Sequence, residues 1–224
     1  MKSLFFLLVG FLGVKTALAA PADSLYIIRD QKIYAKTVRA DKNMQLVELK
    51  KIIPDITLDI RYATSNNFMR RKMYAQARAF SRLPVALALK KVQAELKQKG
   101  YGLKIFDGYR PYAVTQDFYR FASNKTFVAD PKKGSKHNRG CAVDLTIIDL
   151  KSGKELPMPT PYDAFDKKAA AGYNDLPQPV LKNRALLNDV MHRHGFRMLK
   201  NEWWHFDFVG WSRYPLMDIP FEAL

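Results

Sequence analysis

A histidine and an aspartate seven positions apart, His137 and Asp144, are residue types that could hold a metal ion. In an unbroken strand, positions that differ by seven face opposite sides of a sheet, so both can reach one ion only if the backbone bends between them. Arg139 and Gly140 lie between them and can supply that bend. The apolar run 141–148 predicts a buried strand that carries Asp144. On this stretch alone, Asp144 could instead pair with Arg139 or cap a turn.

A second histidine, His205, lies near the end of the chain, three residues after Glu202. The alternation over 204–208 predicts a strand with His205 and Asp207 on one face, and it places Glu202 on the turn that leads into this strand. Two histidines and one aspartate would give zinc three protein ligands and leave a fourth position open for water, as in catalytic zinc sites. Glu202 would then be free to act as a base.

These motifs, with two others, resemble the D-alanyl-D-alanine dipeptidases of the VanX type, which belong to the DD-peptidase/hedgehog-like zinc peptidases. The matching stretches occur in the family's order, at 60–68, 107–111, 135–144 and 202–205. The S-x-H-x-x-G-x-A-x-D pattern and the closing E-x-x-H are typical of the wider family. The Tyr-Ala-Thr stretch and the Glu-Trp-Trp-His form indicate the dipeptidase branch.

The resemblance implies zinc-dependent hydrolysis of D-alanyl-D-alanine with one zinc ion per chain. It implies that the metal ligands are His137, Asp144 and His205. Glu202 would serve as the base, and Arg110 would stabilise the oxyanion. The resemblance also places four residues around the dipeptide, Tyr62, Asp107, Ser135 and Asp163, with Asp163 facing the free ammonium group. Without the resemblance, Arg110 would be interpreted as a solvated charge and Asp163 as a turn residue.

Two other functions fit the same motifs. One is a D,D-carboxypeptidase or peptidoglycan endopeptidase of the same fold, which would cleave longer stem peptides. The other is a non-catalytic zinc-containing module that binds the cell envelope. Glu202 argues against the second, because a binding module needs no base beside its metal.

The elements that must position these residues can be predicted from periodicity and turn residues. An apolar stripe over 81–100, with Pro84 near its start, predicts a helix. The next stretch, 101–107, predicts a strand that delivers Arg110 at its end. Before these elements, one or two strands are predicted within 46–62 around a turn at 54–55, followed by a long loop over the site at 66–80. After them, helices are predicted at 112–123 and 183–194, and a strand is predicted at 196–199. The fold expected is a single α+β domain of the hedgehog/DD-peptidase-like kind, with a central, largely antiparallel sheet flanked by helices and the zinc in a cleft on one face.

The N-terminal segment has the pattern of a removable signal peptide at 1–19: Lys2, an apolar core at 4–14 and the Ala17-Leu18-Ala19 cleavage pattern. The domain would then span 20–224, and the protein would be periplasmic or secreted. The apolar core is too short to cross a bilayer, so no membrane span is expected.

Composition bounds the partners of the chain. The formal net charge of +16 favours anionic partners, and with export these would be anionic envelope polymers. The basic residues are scattered and form no nucleic-acid-binding motif, so no specific nucleic-acid binding is expected. Cys141 is the only cysteine, which excludes an internal disulfide, and its apolar neighbours predict an inert buried side chain.

Overall fold

The structure is a computed structural model and describes residues 25–224. The predicted signal peptide at 1–19 therefore lies outside the described residues. The strands are β1 (Ile27–Ile28), β2 (Leu46–Glu48), β3 (Thr57–Leu58), β4 (Phe80–Arg82), β5 (Tyr101–Asp107), β6 (Ala142–Asp149), β7 (Phe196–Leu199), β8 (Glu202–Phe208) and β9 (Leu216–Met217). The helices are α1 (Gln31–Ala40), α2 (Leu49–Ile52), α3 (Leu83–Lys97), α4 (Tyr112–Phe121) and α5 (Gln178–Arg193).

The centre of the fold is a five-stranded sheet with the strand order β3-β5-β6-β8-β7. The three pairs from β5 to β7 are antiparallel, and only the edge pair β3–β5 is parallel. Two small sheets, β1–β9 and β2–β4, lie outside it. Helices α3 and α5 pack against each other and against β5 and β7, respectively. The prediction of an α+β domain with a largely antiparallel central sheet flanked by helices is confirmed.

Helix α3 forms where its apolar stripe predicts a helix. Val85, Leu89, Val92 and Leu96 recur every three or four residues and are all fully buried, so one face of the helix joins the core. Pro84 lies in its first turn, where its missing N–H removes no hydrogen bond. The helix ends at Lys97, slightly before the predicted Gly100.

Helix α5 begins five residues earlier than the predicted 183, at Gln178. Pro179 lies in its first turn, and the fixed φ of proline suits that position rather than ending a helix. Within 46–62, two short strands form as expected, but helix α2 lies between them. Residues 64–79 contain no helix or strand, in agreement with the predicted loop.

Cys141 is fully buried, as expected, and its burial raises the pKa of the thiol to about 12. The thiolate form that would react is therefore scarce at neutral pH. Over residues 25–224, no helix has both the length and the apolar character needed to cross a bilayer.

Candidate metal centre

The three predicted metal ligands converge on one buried point. Asp144 on β6 lies directly opposite His205 on β8, and His137 approaches from the short 3-10 helix before β6. Asp144 Oδ1 is 3.4 Å from His137 Nε2 and 3.1 Å from His205 Nδ1, and the two histidine nitrogens are 3.2 Å apart. Each of the three side chains is at most 10% exposed.

This triangle of ligand atoms fits a zinc ion. Four ligands placed tetrahedrally at zinc bond lengths of about 2.0–2.1 Å lie about 3.3–3.4 Å from one another. Asp144 Oδ1 is buried and accepts no hydrogen bond from any residue that the structure describes. A buried carboxylate oxygen without a partner is costly, so a cation between the three atoms would satisfy it. Of the described residues, these three alone form such a cluster.

The bend between His137 and Asp144 lies where the sequence places it. Gly140 has φ +68°, in the left-handed region, and a Cβ atom there would lie 2.6 Å from Leu46 Cδ2. The alternative partner for Asp144 is excluded, because the Arg139 guanidinium donates to the carbonyl of Tyr214. The bend therefore brings His137 back over the strand that carries Asp144.

Glu202 lies beside the triad, with Oε2 3.7 Å from His205 Nδ1. It is the first residue of β8, so the prediction that it lies on the preceding turn is wrong by one position. The pairing of β7 with β8 shifts register between Met198 and Leu199, and the strand therefore begins earlier than strict alternation predicts. Burial raises the pKa of the Glu202 carboxyl above its ordinary value, which brings it nearer to the range useful for a general base.

Arg110 lines the cleft beside the triad and is held there by Asp107. Arg110 Nε and Nη2 donate to Asp107 Oδ2 at 3.0 and 2.8 Å, and Asp107 Oδ1 accepts from the hydroxyl of Tyr74 at 2.8 Å. Asp107 is 1% exposed and does not line the cleft. The structure thus places Asp107 behind Arg110 rather than against a dipeptide, where it orients the guanidinium.

Asp163 lies at the cleft, and it is both a turn residue and a candidate substrate-binding residue, the two interpretations that the sequence leaves open. Its φ of +61° belongs to a tight turn, and its half-buried side chain nevertheless lines the cleft. The hydroxyl of Tyr62 donates to Asp163 Oδ2 at 2.8 Å. Burial raises the pKa of the Asp163 carboxyl to about 8, although the Tyr62 hydrogen bond opposes this.

Ser135 also lines the cleft, and its hydroxyl oxygen accepts from the backbone N–H of His137 at 3.2 Å. The cleft has a volume of about 340 Å³. Its aromatic wall includes Phe68, Phe118, Phe127 and Trp204, which the sequence does not mark as site residues. Of the predicted site residues, the structure brings all except Asp107 to this one cleft.

One contact to the metal centre has no local sequence signal. The hydroxyl of Tyr162 donates to Asp144 Oδ2 at 3.0 Å, and its ring stacks on Phe106 with a centroid distance of 4.4 Å. Tyr162 thereby fixes the orientation of the carboxylate and leaves Oδ1 for the metal. Only its position next to Asp163 could have suggested a role.

Replacing Asp163 with asparagine is expected to stabilise the fold at pH 8 but not at pH 4. Because the folded-state pKa of Asp163 exceeds its unfolded value, folding is penalised progressively as the pH rises from about 4 to about 8, by about 1.4 kcal/mol per pH unit at most. Asparagine cannot ionise and tolerates positive φ, so it removes only this penalty. Thermal unfolding of the zinc-free variant and wild type at both pH values measures the effect.

The matched control is Asp149→Asn, because the Ser152 backbone lowers the pKa of the Asp149 carboxyl instead of raising it. This control is expected to gain no stability at pH 8. Equal unfolding temperatures for wild type and Asp163→Asn at pH 8 would show that the Asp163 carboxyl does not carry a raised pKa.

A buried His-Asp-His triad with a carboxylate and an arginine in the same cleft is the arrangement of a single-metal hydrolase centre. The sheet supplies two of the ligands from adjacent strands, so the site is held on rigid elements. The fold and site define the protein as a metallopeptidase-type α+β domain.

Comparisons with known proteins give the family. A family model described as "D-ala-D-ala dipeptidase" matches residues 42–218. A D-alanyl-D-alanine dipeptidase from Escherichia coli is 33% identical over 173 residues, which cover 77% of this chain and 89% of that protein. One from Enterococcus faecalis is 28% identical over 184 residues, covering 72% and 90%. The chain belongs to the D-ala-D-ala dipeptidase family of zinc metallopeptidases.

Two solved structures show more distant similarity. The vancomycin resistance D,D-pentapeptidase VanY, in complex with Zn(II), is 17% identical with a TM-score of 0.37, over 60% of this chain and 75% of that one. The LD-carboxypeptidase LdcB is 21% identical with a TM-score of 0.38, over 60% and 61%. The family assignment depends on the sequence matches and not on these similarities.

Proposed function

We propose that the protein hydrolyses free D-alanyl-D-alanine to two D-alanines, with one zinc ion held by His137, Asp144 and His205. The family match supports the reaction and the metal. The observation that carries the preference for a free dipeptide is the half-buried Asp163 carboxyl in the same cleft as the triad. The cleft's volume of about 340 Å³ suits a small substrate.

The chemistry needs a Lewis acid and a base. When bound, zinc polarises the scissile carbonyl and makes water a better nucleophile at neutral pH. Glu202 accepts the proton of the attacking water and returns it to the leaving amine. The raised pKa of Glu202 supports this role, because a carboxylate of higher pKa accepts the proton of the attacking water more readily.

Arg110 stabilises the negative charge that develops on the carbonyl oxygen. Asp107 holds two of its nitrogens, and Nη1 makes no hydrogen bond to any residue within 25–224, so it can donate into the cleft. The loss of one such donor typically costs about 2.7–4 kcal/mol of transition-state stabilisation. The two hydrogen bonds that Asp107 Oδ2 accepts from Arg110 fix the direction of this donor before the substrate arrives.

Asp163 and Tyr62 bind the amino end of the dipeptide. A substrate ammonium group forms a charge-assisted hydrogen bond with Asp163 once the carboxyl ionises, and the Tyr62 hydroxyl holds the carboxylate in place. A longer peptide presents a neutral amide at this point. It would leave the half-buried Asp163 carboxyl without the cation that favours its ionised form, and it would place further residues against the cleft wall.

We therefore expect the protein to cleave D-alanyl-D-alanine and to cleave its N-acetylated form at least about 10-fold more slowly, because acetylation removes the cation that Asp163 recognises; a hydrogen bond to a charged group contributes about 1.5–3 kcal/mol. The measurement is kcat/KM for both substrates and for a pentapeptide ending in D-alanyl-D-alanine. Similar cleavage of the acetylated dipeptide, or a preference for the pentapeptide, would instead favour a D,D-carboxypeptidase.

The control variant is Asp163→Asn, which keeps the backbone conformation but cannot pair with an ammonium group. It should raise KM for the free dipeptide and reduce the discrimination between the two dipeptides, while the zinc content stays at one per chain. Arg110 and Glu202 are unchanged in this variant, so a loss confined to kcat would argue against the assigned role of Asp163.

We also propose that the protein works in the periplasm or is secreted, where it degrades dipeptide released in wall turnover. The pattern of 1–19 supports export, and the net charge of +16 supports electrostatic contact with anionic envelope polymers. Mass spectrometry of the exported protein is expected to find an N-terminus at Ala20. An intact Met1 terminus on cytoplasmic protein would contradict this proposal.

A further inference from the structure

A second carboxylate, Asp207, lies behind His205 on the side away from the metal triad. Asp207 Oδ1 accepts from His205 Nε2 at 2.9 Å. Its other oxygen, Oδ2, accepts from Lys136 Nζ at 2.5 Å. The Asp207 side chain is 12% exposed, and neither Asp207 nor Lys136 lines the cleft. These two residues therefore act on the centre only through other residues.

The two histidines present different nitrogens to the triad, and each has its other nitrogen held. His137 faces Asp144 with Nε2, while its Nδ1–H donates to the carbonyl of Gly108 at 2.7 Å. His205 faces Asp144 with Nδ1, while its Nε2 is held by Asp207. A proton shared with an acceptor on one ring nitrogen leaves the lone pair of the other free for a metal. Asp207 thus selects the tautomer that His205 needs.

Lys136, the partner of Asp207, belongs to the segment that carries the other histidine ligand, His137. Lys136 directly precedes His137, and its ammonium lies 5.0 Å from the centre of the Trp211 ring, which limits the positions of the side chain. The contact between Lys136 and Asp207 therefore joins the turn that carries His137 to the strand that carries His205. The sequence places Asp207 on the His205 face by alternation along β8, but it does not show that Lys136 reaches it.

We propose that the Lys136–Asp207 pair is a positioning device for the metal centre, which fixes the tautomer and orientation of His205 and ties together the segments that bear the two histidines. The proposal rests on the zinc site of the proposed function. Asp207 and Lys136 are positioning residues and not catalytic residues, since neither touches the cleft.

The test compares zinc affinity and kinetics in Asp207→Ala, Asp207→Asn and Lys136→Met. Competition with a chromogenic chelator gives the zinc Kd, and initial rates with D-alanyl-D-alanine give kcat and KM at saturating zinc. Asp207→Ala is expected to weaken zinc binding about 10–100-fold and to lower kcat with little change in KM. Asp207→Asn keeps an acceptor oxygen and should recover part of the affinity. Lys136→Met should lose less than Asp207→Ala.

The matched control is Glu48→Ala, which removes a similarly buried carboxylate paired with Arg78 at 2.8 Å and distant from the triad. It is expected to lose thermal stability while its zinc Kd stays unchanged. An Asp207→Ala variant that loses stability like the control but keeps a wild-type zinc Kd would overturn the proposal. Wild-type protein that binds zinc without cleaving the dipeptide would contradict the proposed function alone, because the zinc Kd values would still decide the role of Asp207.

Discussion

Replacing His137, Asp144 or His205 with alanine is expected to remove the bound zinc and, with it, all measurable dipeptidase activity. Each variant leaves two ligands, and the remaining pair cannot close the 3.1–3.4 Å triangle that fits the ion. Zinc that binds only the folded state also stabilises it, by about 4 kcal/mol when free zinc is roughly 1,000 times its Kd. The three variants should therefore lose the part of their stability that depends on zinc.

Elemental analysis after gel filtration and thermal unfolding with and without added zinc measure both effects. The control is His194→Ala, because His194 Nε2 lies 2.9 Å from Glu95 Oε2, outside the centre. This variant should retain one zinc per chain and full activity. One zinc per chain in any two of the three ligand variants would show that the metal binds elsewhere.

The parts of the fold that the sequence predicts well are those with strong periodicity and clear end signals. Helix α3 has a regular apolar stripe between a proline and a glycine, and β5 and β6 are mostly apolar strands. Helix α1 is not predicted, because its sequence is polar on average and only Tyr34 of its ten residues is buried, so it contributes little to the apolar core. Helix α2 is a single turn and is too short to show a period.

The candidate site also contains some residues whose position the sequence predicts and others whose position it does not. The metal ligands and Glu202 belong to short motifs whose spacing can be recognised in the sequence, and the structure brings these residues together. Asp107 is different, because sequence proximity to Arg110 cannot tell whether a carboxylate faces the substrate or the arginine. The observed hydrogen bonds from both Arg110 and Tyr74 decide that Asp107 lies behind the guanidinium.

Contacts between distant residues that belong to no motif could not be predicted. Tyr162 reaches Asp144 from a loop eighteen positions away, and Lys136 reaches Asp207 across seventy-one positions. Tyr162 meets Asp144 only because the loop 150–177 packs on the sheet, and Lys136 meets Asp207 only because the segment before β6 lies beside β8. No local pattern marks such residues, since each looks like an ordinary loop or surface residue in the sequence.

Replacing Glu202 with glutamine is expected to show that Glu202 is the general base and not a metal ligand. The variant should keep zinc and fold, because the carboxylate lies 3.7 Å from His205 Nδ1 and the triad is complete without it. Its kcat should fall by about 10²–10⁴-fold, since glutamine cannot accept the proton of the attacking water. Zinc content, unfolding temperature and kcat for D-alanyl-D-alanine, measured on the same preparation, test this.

The pH dependence of the wild type adds a second test of Glu202. A general base works only when it is ionised, and burial raises the pKa of Glu202, so activity should fall on acidification at a pH above the ordinary range for a glutamate. Since acid can also release zinc from its ligands, the profile must be compared with zinc content at each pH. A Glu202→Gln variant that loses its zinc would identify Glu202 as a ligand, and one that keeps wild-type kcat would require another base.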